Sequence, residues 1–536
     1  MSPTIEFESA NGRRAFDYYH ARLIPILGGI YTSEFWGETV LQLSLTQPVV
    51  HHSLLSLSSF LECELAKDGT DHARKPGFAF SEYGKAINAM RNWRSDDGSM
   101  AVPLLVCVLF TCIEFLLDRS QVSQLHICQG RKLLSQLEDV ESSALDLVKR
   151  DLVPIYARLS LASFLFGTRP EAIPDRLRSS TATPVEFKTL RDAKNRLYHL
   201  LDDALRFTTQ AKPAAYATPN YLEVAALEAV QQSLLNQLSD WNNSFTILTT
   251  NLAQSTSLRI SQNLLQIYYH AAVIWICTAL QPLQLAYDNH IAAFASIISL
   301  ASAVVNQTNA SKKLPEFSFE TELIAPLYWT ATKCRHPTLR RAALRLLLKD
   351  ELRNRKENLW HARETIIIAS RIIEMEEQGL ETTVAETKAA YESPKQEFTP
   401  STQTSSDSTW SQWSDNELHV PLSKPPTLPP PAVILDTATV AFDGDFEGEG
   451  EASFNRPVVQ NGAAIPEHPR LKSAANMASS LPVHMSVSPP FDIPETMRVK
   501  NTLIGPREPG GIWITVFRDL NTGQQNWDIT KEFLAV

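Results

Sequence analysis

The chain is short of the residues that mark disulfide frameworks and zinc modules. It has six cysteines, Cys63, Cys107, Cys112, Cys128, Cys277 and Cys334, and none falls in a CxxC spacing. Most sit inside apolar helical patterns, where a thiol behaves as a small buried hydrophobe. They are expected to be reduced, in an intracellular protein. A basic excess is also lacking: the formal net charge is -10. That argues against a general nucleic-acid-binding surface while leaving room for a local basic patch. No apolar signal core opens the chain in "MSPTIEFESANGRRAFDYYH". The greasy run "AVPLLVCVLFTCIEFLL" at 101–117 contains Pro103 and Glu114 and is about one turn short of a bilayer span. The uncharged stretch 260–287 carries Gln, Asn and His throughout. Both read as buried core helices of a soluble protein.

Reaction motifs are missing as well. No HExxH, GxSxG, GxxxxGK[ST] or strand-flanked GxGxxG occurs. Nothing places a nucleophile beside a base, so no enzymatic activity is expected. The acidic run "DGDFEGEGEASF" at 443–454 echoes a calcium loop, but Phe454 stands where a bidentate Glu is needed. His51 and His52 are adjacent and would point about 100° apart on a helix, so they do not form a ligand pair. Cys334 and His336 have no second pair of ligands in view.

What the sequence does have is helical periodicity. Residues 13–380 read as one helical pattern after another, with strand signals nearly absent and only 19 glycines in the whole chain. In "PVVHHSLLSLSSFLECELA" (48–66), Val50, Leu54, Leu57 and Leu61 recur at helical steps. The segment "KCRHPTLRRAALRLLL" (333–348) gives the sharpest boundary. The residue before Pro337 is pushed out of helical conformation, and proline suits a first helical turn. Leu339, Ala342, Ala343, Leu346 and Leu347 then form a single stripe. Arg335, Arg340, Arg341 and Arg345 could contact phosphate. Acids close by in sequence, Asp350, Glu351, Glu374 and Glu376, make an interhelical clamp the preferred reading.

The expected fold is all-α: a large multi-helix domain over 1–385, a disordered Pro/Ser/acidic segment over 386–500, and a small β-hairpin over 501–536 that docks on the helical domain. The middle segment is too polar to offset its ordering entropy by burial. Within it, Trp410 and Trp413 lie among acids in "DSTWSQWSDNE", and Phe442 and Phe446 among acids in "FDGDFEGEGE". Acidic-aromatic disorder of this kind is similar to transcriptional activation segments. In "IWITVFRDLNTGQQNWDITKEF" (512–533), Trp513, Thr515 and Phe517 alternate with Ile514 and Val516 before an Asn521-Thr522-Gly523 turn.

Four blocks, in order, carry a family resemblance. "PLYWTATKCRHPTLRRAALRLL" (326–347) resembles the signature of the fungal-specific transcription factor domain, the helical regulatory region of fungal binuclear zinc-cluster regulators. The opening block (18–60, with Trp36), a second over 104–134 (with Glu114, His126 and Gly130) and the helix "NLWHARETIIIASRIIEMEE" (358–377) agree with it. The resemblance implies a nuclear regulator of RNA polymerase II transcription. Its partners would be the transcription machinery or a related regulator, in a homo- or heterodimer. It also implies that Trp36, Glu114, Cys334, Arg335, Pro337, Arg340 and Arg341 are architectural signature residues. The family's zinc-cluster module has no counterpart among the six cysteines. This chain is therefore expected to hold no cofactor, zinc belonging only to a missing N-terminal module, and to reach DNA indirectly or through that module. The alternative is a non-DNA-binding helical paralogue or scaffold acting through protein–protein contacts.

Overall fold

The computed structural model describes residues 9–28, 35–65, 76–94, 100–137, 143–165, 167–178, 186–216, 221–252, 255–311, 315–391, 493–519 and 527–536. The chain divides into two units. Met1–Tyr391 with Pro489–Val536 form one; Glu392–Ser488 form the other. Every described residue belongs to the first. Trp410, Trp413, Phe442, Phe446, the 443–454 acidic run and the Asn521-Thr522-Gly523 turn lie outside the described residues.

The first unit is mostly helical, as its periodicity predicts. Helices α1 (Ala10–Tyr18), α2 (Ile24–Gly28), α3 (Val40–Thr46), α4 (Pro48–Leu65) and α5 (Gly77–Asn92) lead to α6 (Ala101–Leu116). Fifteen named residues of α6 are buried, including Pro103 and Glu114. A helix apolar on all sides belongs at the centre of a large core, and α6 is that centre. Helices α7 (Ser120–Gln136), α8 (Ser143–Leu147), α9 (Val153–Leu165), α10 (Leu190–Tyr216), α11 (Tyr221–Asn251), α12 (Thr256–Thr278) and α13 (Ile291–Ser311) follow. The segment Gln284–Gln307, with mean hydropathy 1.4, is long and apolar enough by composition to cross a bilayer. In the structure it is a 3-10 turn followed by α13, whose Phe294, Ile297, Ala301, Val304 and Val305 join the main core.

The last part of the helical body positions the site. Helices α14 (Ile324–Lys333) and α15 (Pro337–Leu347) meet at the Cys334–His336 joint. His336 is extended (φ -65°, ψ 116°) and Pro337 takes the first helical turn, the conformations that an X-Pro step favours. Helix α16 (Ala362–Tyr391) closes the series. A three-stranded ladder that periodicity did not signal braces these helices. Strand β1 (Phe317–Ser318) pairs in parallel with β2 (Lys356–Glu357), which pairs antiparallel with β3 (Trp360–His361). Strands of two residues cannot display an alternating pattern. Asn358 turns the chain between β2 and β3 with φ 46° and donates its amide to Thr321 at 2.9 Å.

The C-terminal hairpin is present and extended by a further strand. Strands β4 (Val499–Glu508), β5 (Gly511–Asp519) and β6 (Trp527–Ala535) form an antiparallel sheet in that order. Trp513 faces Phe533, and Thr515 lies between Leu503 and Lys531. Strand β4 carries register shifts at Val499/Asn501 and Ile504/Arg507. Gly505 and Pro506 fall within the second, consistent with the edge position that proline requires. Ile512, Ile514, Val516 and Leu534 pack with Ile368, Ile372 and Met375 of α16 in a second apolar cluster. That burial supplies what an isolated hairpin lacks in water.

Candidate functional site

The 333–348 joint is a buried ionic crosslink. Glu376 on α16, Arg335 and Arg340 all have fully buried side chains. Arg335 Nη2 donates to Glu376 Oε1 at 2.8 Å, and Arg340 Nη2 to Oε2 at 2.6 Å. The backbone N–H of Val499, the first residue of β4, donates to Glu376 Oε1 at 2.8 Å. Arg335 returns a bond to the Val499 carbonyl at 3.1 Å and holds the Lys333 carbonyl at 2.9 Å, the latter next to the helix break. One carboxylate thus ties α14, α15 and the C-terminal sheet to α16. Burial opposes its charge, but Arg335 and Arg340 overcome that and hold its pKa below the ordinary value.

A second layer surrounds the first. Arg341 donates to Glu377 at 2.6 Å. Lys333 donates to Gln284 at 3.0 Å and to the carbonyls of Val499 and Lys500 at 3.3 and 2.7 Å. Arg498, itself buried, forks onto Asp288 at 2.9 and 2.7 Å and holds the Ile493 carbonyl at 2.7 Å. Glu495 accepts the backbone N–H groups of Gln284 and Leu285 at 2.7 and 2.9 Å. Forked arginine–carboxylate geometry adds direction as well as energy. The array therefore fixes the entry of β4 against the helical body.

The acids near in sequence divide. Of the four, Glu376 takes the clamp. Glu374 pairs with Arg371 at 3.2 Å and Asp350 with Arg353 at 3.1 Å. Glu377 serves Arg341 although the sequence did not single it out. Arg345 is exposed on α15. Cys334 is a buried free thiol whose pKa burial pushes up to about 11. Among the described residues no group of three or more metal-ligating side chains converges.

The other signature residues lie apart from this joint. Trp36 is buried in a one-turn π-helix, Phe35–Thr39, and its carbonyl accepts the Tyr19 hydroxyl at 2.8 Å. Glu114 accepts the Tyr83 hydroxyl at 2.6 Å, and burial raises its pKa. Gly130 stands against Tyr156: a Cβ there would lie 2.0 Å from the Tyr156 hydroxyl oxygen. Sequence reasoning missed Lys333, Glu495, Arg498 and Val499. The one local signal was the dense charge in 495–500 after Pro494, and it says nothing of a partner more than a hundred residues away.

The geometry is that of a helical domain stapled through buried arginines to its own C-terminal sheet. The family model described as fungal specific transcription factor domain matches residues 14–368, and the chain belongs to that family. No curated protein and no solved structure matches it. The family suggests a non-enzymatic role in transcriptional regulation and a nuclear location.

Proposed function

We infer that the protein is a nuclear regulator of RNA polymerase II transcription. Its helical domain sets the activity of the acidic-aromatic segment between α16 and β4. The observation that supports this most is where that segment begins and ends. It leaves α16 beyond the clamp residue Glu376 and rejoins the body at β4, whose first residue binds the same carboxylate. A change at the clamp would therefore be felt at both attachment points. Trp410, Trp413, Phe442 and Phe446 are the residues that would enter an apolar coactivator groove, the neighbouring acids keeping them solvated until then. DNA is reached through a partner regulator, by homo- or heterodimerisation, or through a zinc-cluster module.

The test is a reporter assay with the full chain fused to a heterologous DNA-binding domain. The reading expects reporter gain over the DNA-binding domain alone, lost in the Trp410→Ala/Trp413→Ala double variant. A gain that survives that variant removes the activation role, and no gain at all favours a scaffold that acts by protein–protein contact.

A further inference from the structure

At the start of α16 a surface cavity of about 350 Å3 opens beside the β1–β2–β3 ladder. That volume suits a small molecule. Arg353, Arg355, Lys356, His361 and Arg363 line it, against only two acids, Glu64 and Glu316. Its charge is thus opposite to that of the chain as a whole, which is -10.

Much of this positive charge has a partner. Lys356 and His361 share Asp118 at 2.6 and 2.8 Å. Arg355 bridges Glu322 and Glu357. Two guanidiniums are poorly neutralised. Arg363 donates at 3.0 and 2.8 Å to the amide oxygen of Asn354, which carries no charge. Arg353 meets Asp350 at 3.1 Å with both side chains largely exposed, a pairing of little strength. Arg355 adds an independent observation. It is 3% exposed, yet its buried Nη1 has no hydrogen-bond partner among the described residues. An unmade buried donor is costly, and an acceptor in the cavity would relieve it. Ala362 and Arg363, which also line the cavity, are the first residues of α16. The N–H groups of a first turn have no acceptor within the helix, and the helix dipole favours negative charge there.

We propose that this cavity binds a small organic polyanion, a molecule carrying two or more phosphate or carboxylate groups. Arg353 and Arg363 grip its charged oxygens, and the α16 N-terminus completes the cradle. The occupant sits beside the C-terminal sheet as well, since Arg507 of β4 reaches Asp118 at 3.3 Å and Glu364 at 2.6 Å. Helix α16 runs from this cavity to Glu376, so occupancy is an input to the clamp. That last step rests on the regulatory reading; the binding does not.

Calorimetric titration of the full chain tests it, with pyrophosphate and with citrate at fixed ionic strength. Three proteins are compared: the natural chain, the Arg353→Ser/Arg363→Ser double variant, and Arg91→Ser, an exposed arginine of α5 (Gly77–Asn92) that does not line the cavity. The natural chain is expected to bind at least one anion saturably at one site. Which anion binds separates phosphate from carboxylate chemistry. Affinity falls at least tenfold in the double variant and is unchanged in Arg91→Ser. In the natural chain the bound anion also slows amide hydrogen exchange across 353–365, a readout that needs no variant to fold. Absence of saturable binding by both anions, equal weakening in both variants, or unchanged exchange across 353–365 overturns the proposal. Neither measurement involves transcription, so a failed reporter assay leaves this result intact, and a failed titration leaves the reporter result intact.

Discussion

Glu376→Gln removes one negative charge and almost no volume, so it isolates the electrostatic part of the clamp. In the natural chain the carboxylate faces two guanidiniums at 2.8 and 2.6 Å, all three side chains inaccessible to water. A glutamine keeps one acceptor oxygen but presents an NH2 group to the other arginine, donor against donor. Arg340 retains Glu377 at 3.5 Å, while Arg335 is left with backbone carbonyls. Removing one member of a buried ion pair costs about 3–5 kcal/mol, because the remaining charge stays desolvated. The variant is therefore expected to lose about that much in urea unfolding. It should also lose exchange protection first in β4, whose Val499 N–H is held by the same oxygen. Replacing all three charges together, Glu376→Met with Arg335→Met and Arg340→Met, should recover most of the loss, since no charge is then stranded. A Glu376→Gln loss below about 1 kcal/mol, or unaltered protection at 499–504, would refute the claim that this carboxylate carries the joint.

Two further perturbations test other parts of the fold. Gly130→Ala would gain about 1 kcal/mol on helix propensity alone. The new Cβ would instead lie 2.0 Å from the hydroxyl of buried Tyr156, which donates to the Leu104 carbonyl at 2.8 Å, so a net loss of about 1–3 kcal/mol is expected in the urea midpoint; an unchanged or higher midpoint contradicts it. For pH, burial, helped by the Arg178 charge, lowers the His199 pKa to about 3, and burial lowers that of His270 to about 4. Unfolded histidines titrate near 6.5, so the unfolded state takes up protons first as pH falls. The stability that these neutral imidazoles contribute is complete above about pH 6.5 and declines below it, by on the order of 2 kcal/mol for each at pH 5. A melting temperature flat between pH 7 and 5, or no flatter in the His199→Gln/His270→Gln double variant, counts against that assignment.

How much of this could be read in advance depended on the distance over which each feature is encoded. Helical periodicity is local, so the α15 stripe and the Pro337 boundary were legible, and the buried α6 announced itself by lacking charge. The β5–β6 alternation was legible for the same reason. Strand β4 was not: it begins Val-Lys-Asn-Thr and then meets Gly505 and Pro506, composition that ordinarily argues against a strand. It exists because Arg335, Lys333 and Glu376 hold its first residues while β5 pairs with the rest. The β1–β2–β3 ladder was invisible because each strand is two residues long. The arginines stood out, and a nearby carboxylate could be anticipated as their partner, but choosing among Asp350, Glu351, Glu374 and Glu376 required the angle at which α16 returns past α15.

The same reasoning explains why one short peptide is so dense in constrained residues. Between 333 and 341 nearly every side chain is committed to a different neighbour: Lys333 and Arg335 to β4, Arg335 and Arg340 to Glu376, Arg341 to Glu377, and Pro337 to the break itself. A lysine in place of Arg340 would keep the charge. It could not hold Glu376 at 2.6 Å and the Ala331 carbonyl at 3.3 Å together, because an ammonium lacks the planar fork that spans both. The chemistry that makes such a peptide resemble a phosphate-binding site, guanidiniums packed at a helix start, is here turned inward. The cations that remain available to an external anion lie at the other end of the same unit, where Arg353 and Arg363 flank the first turn of α16.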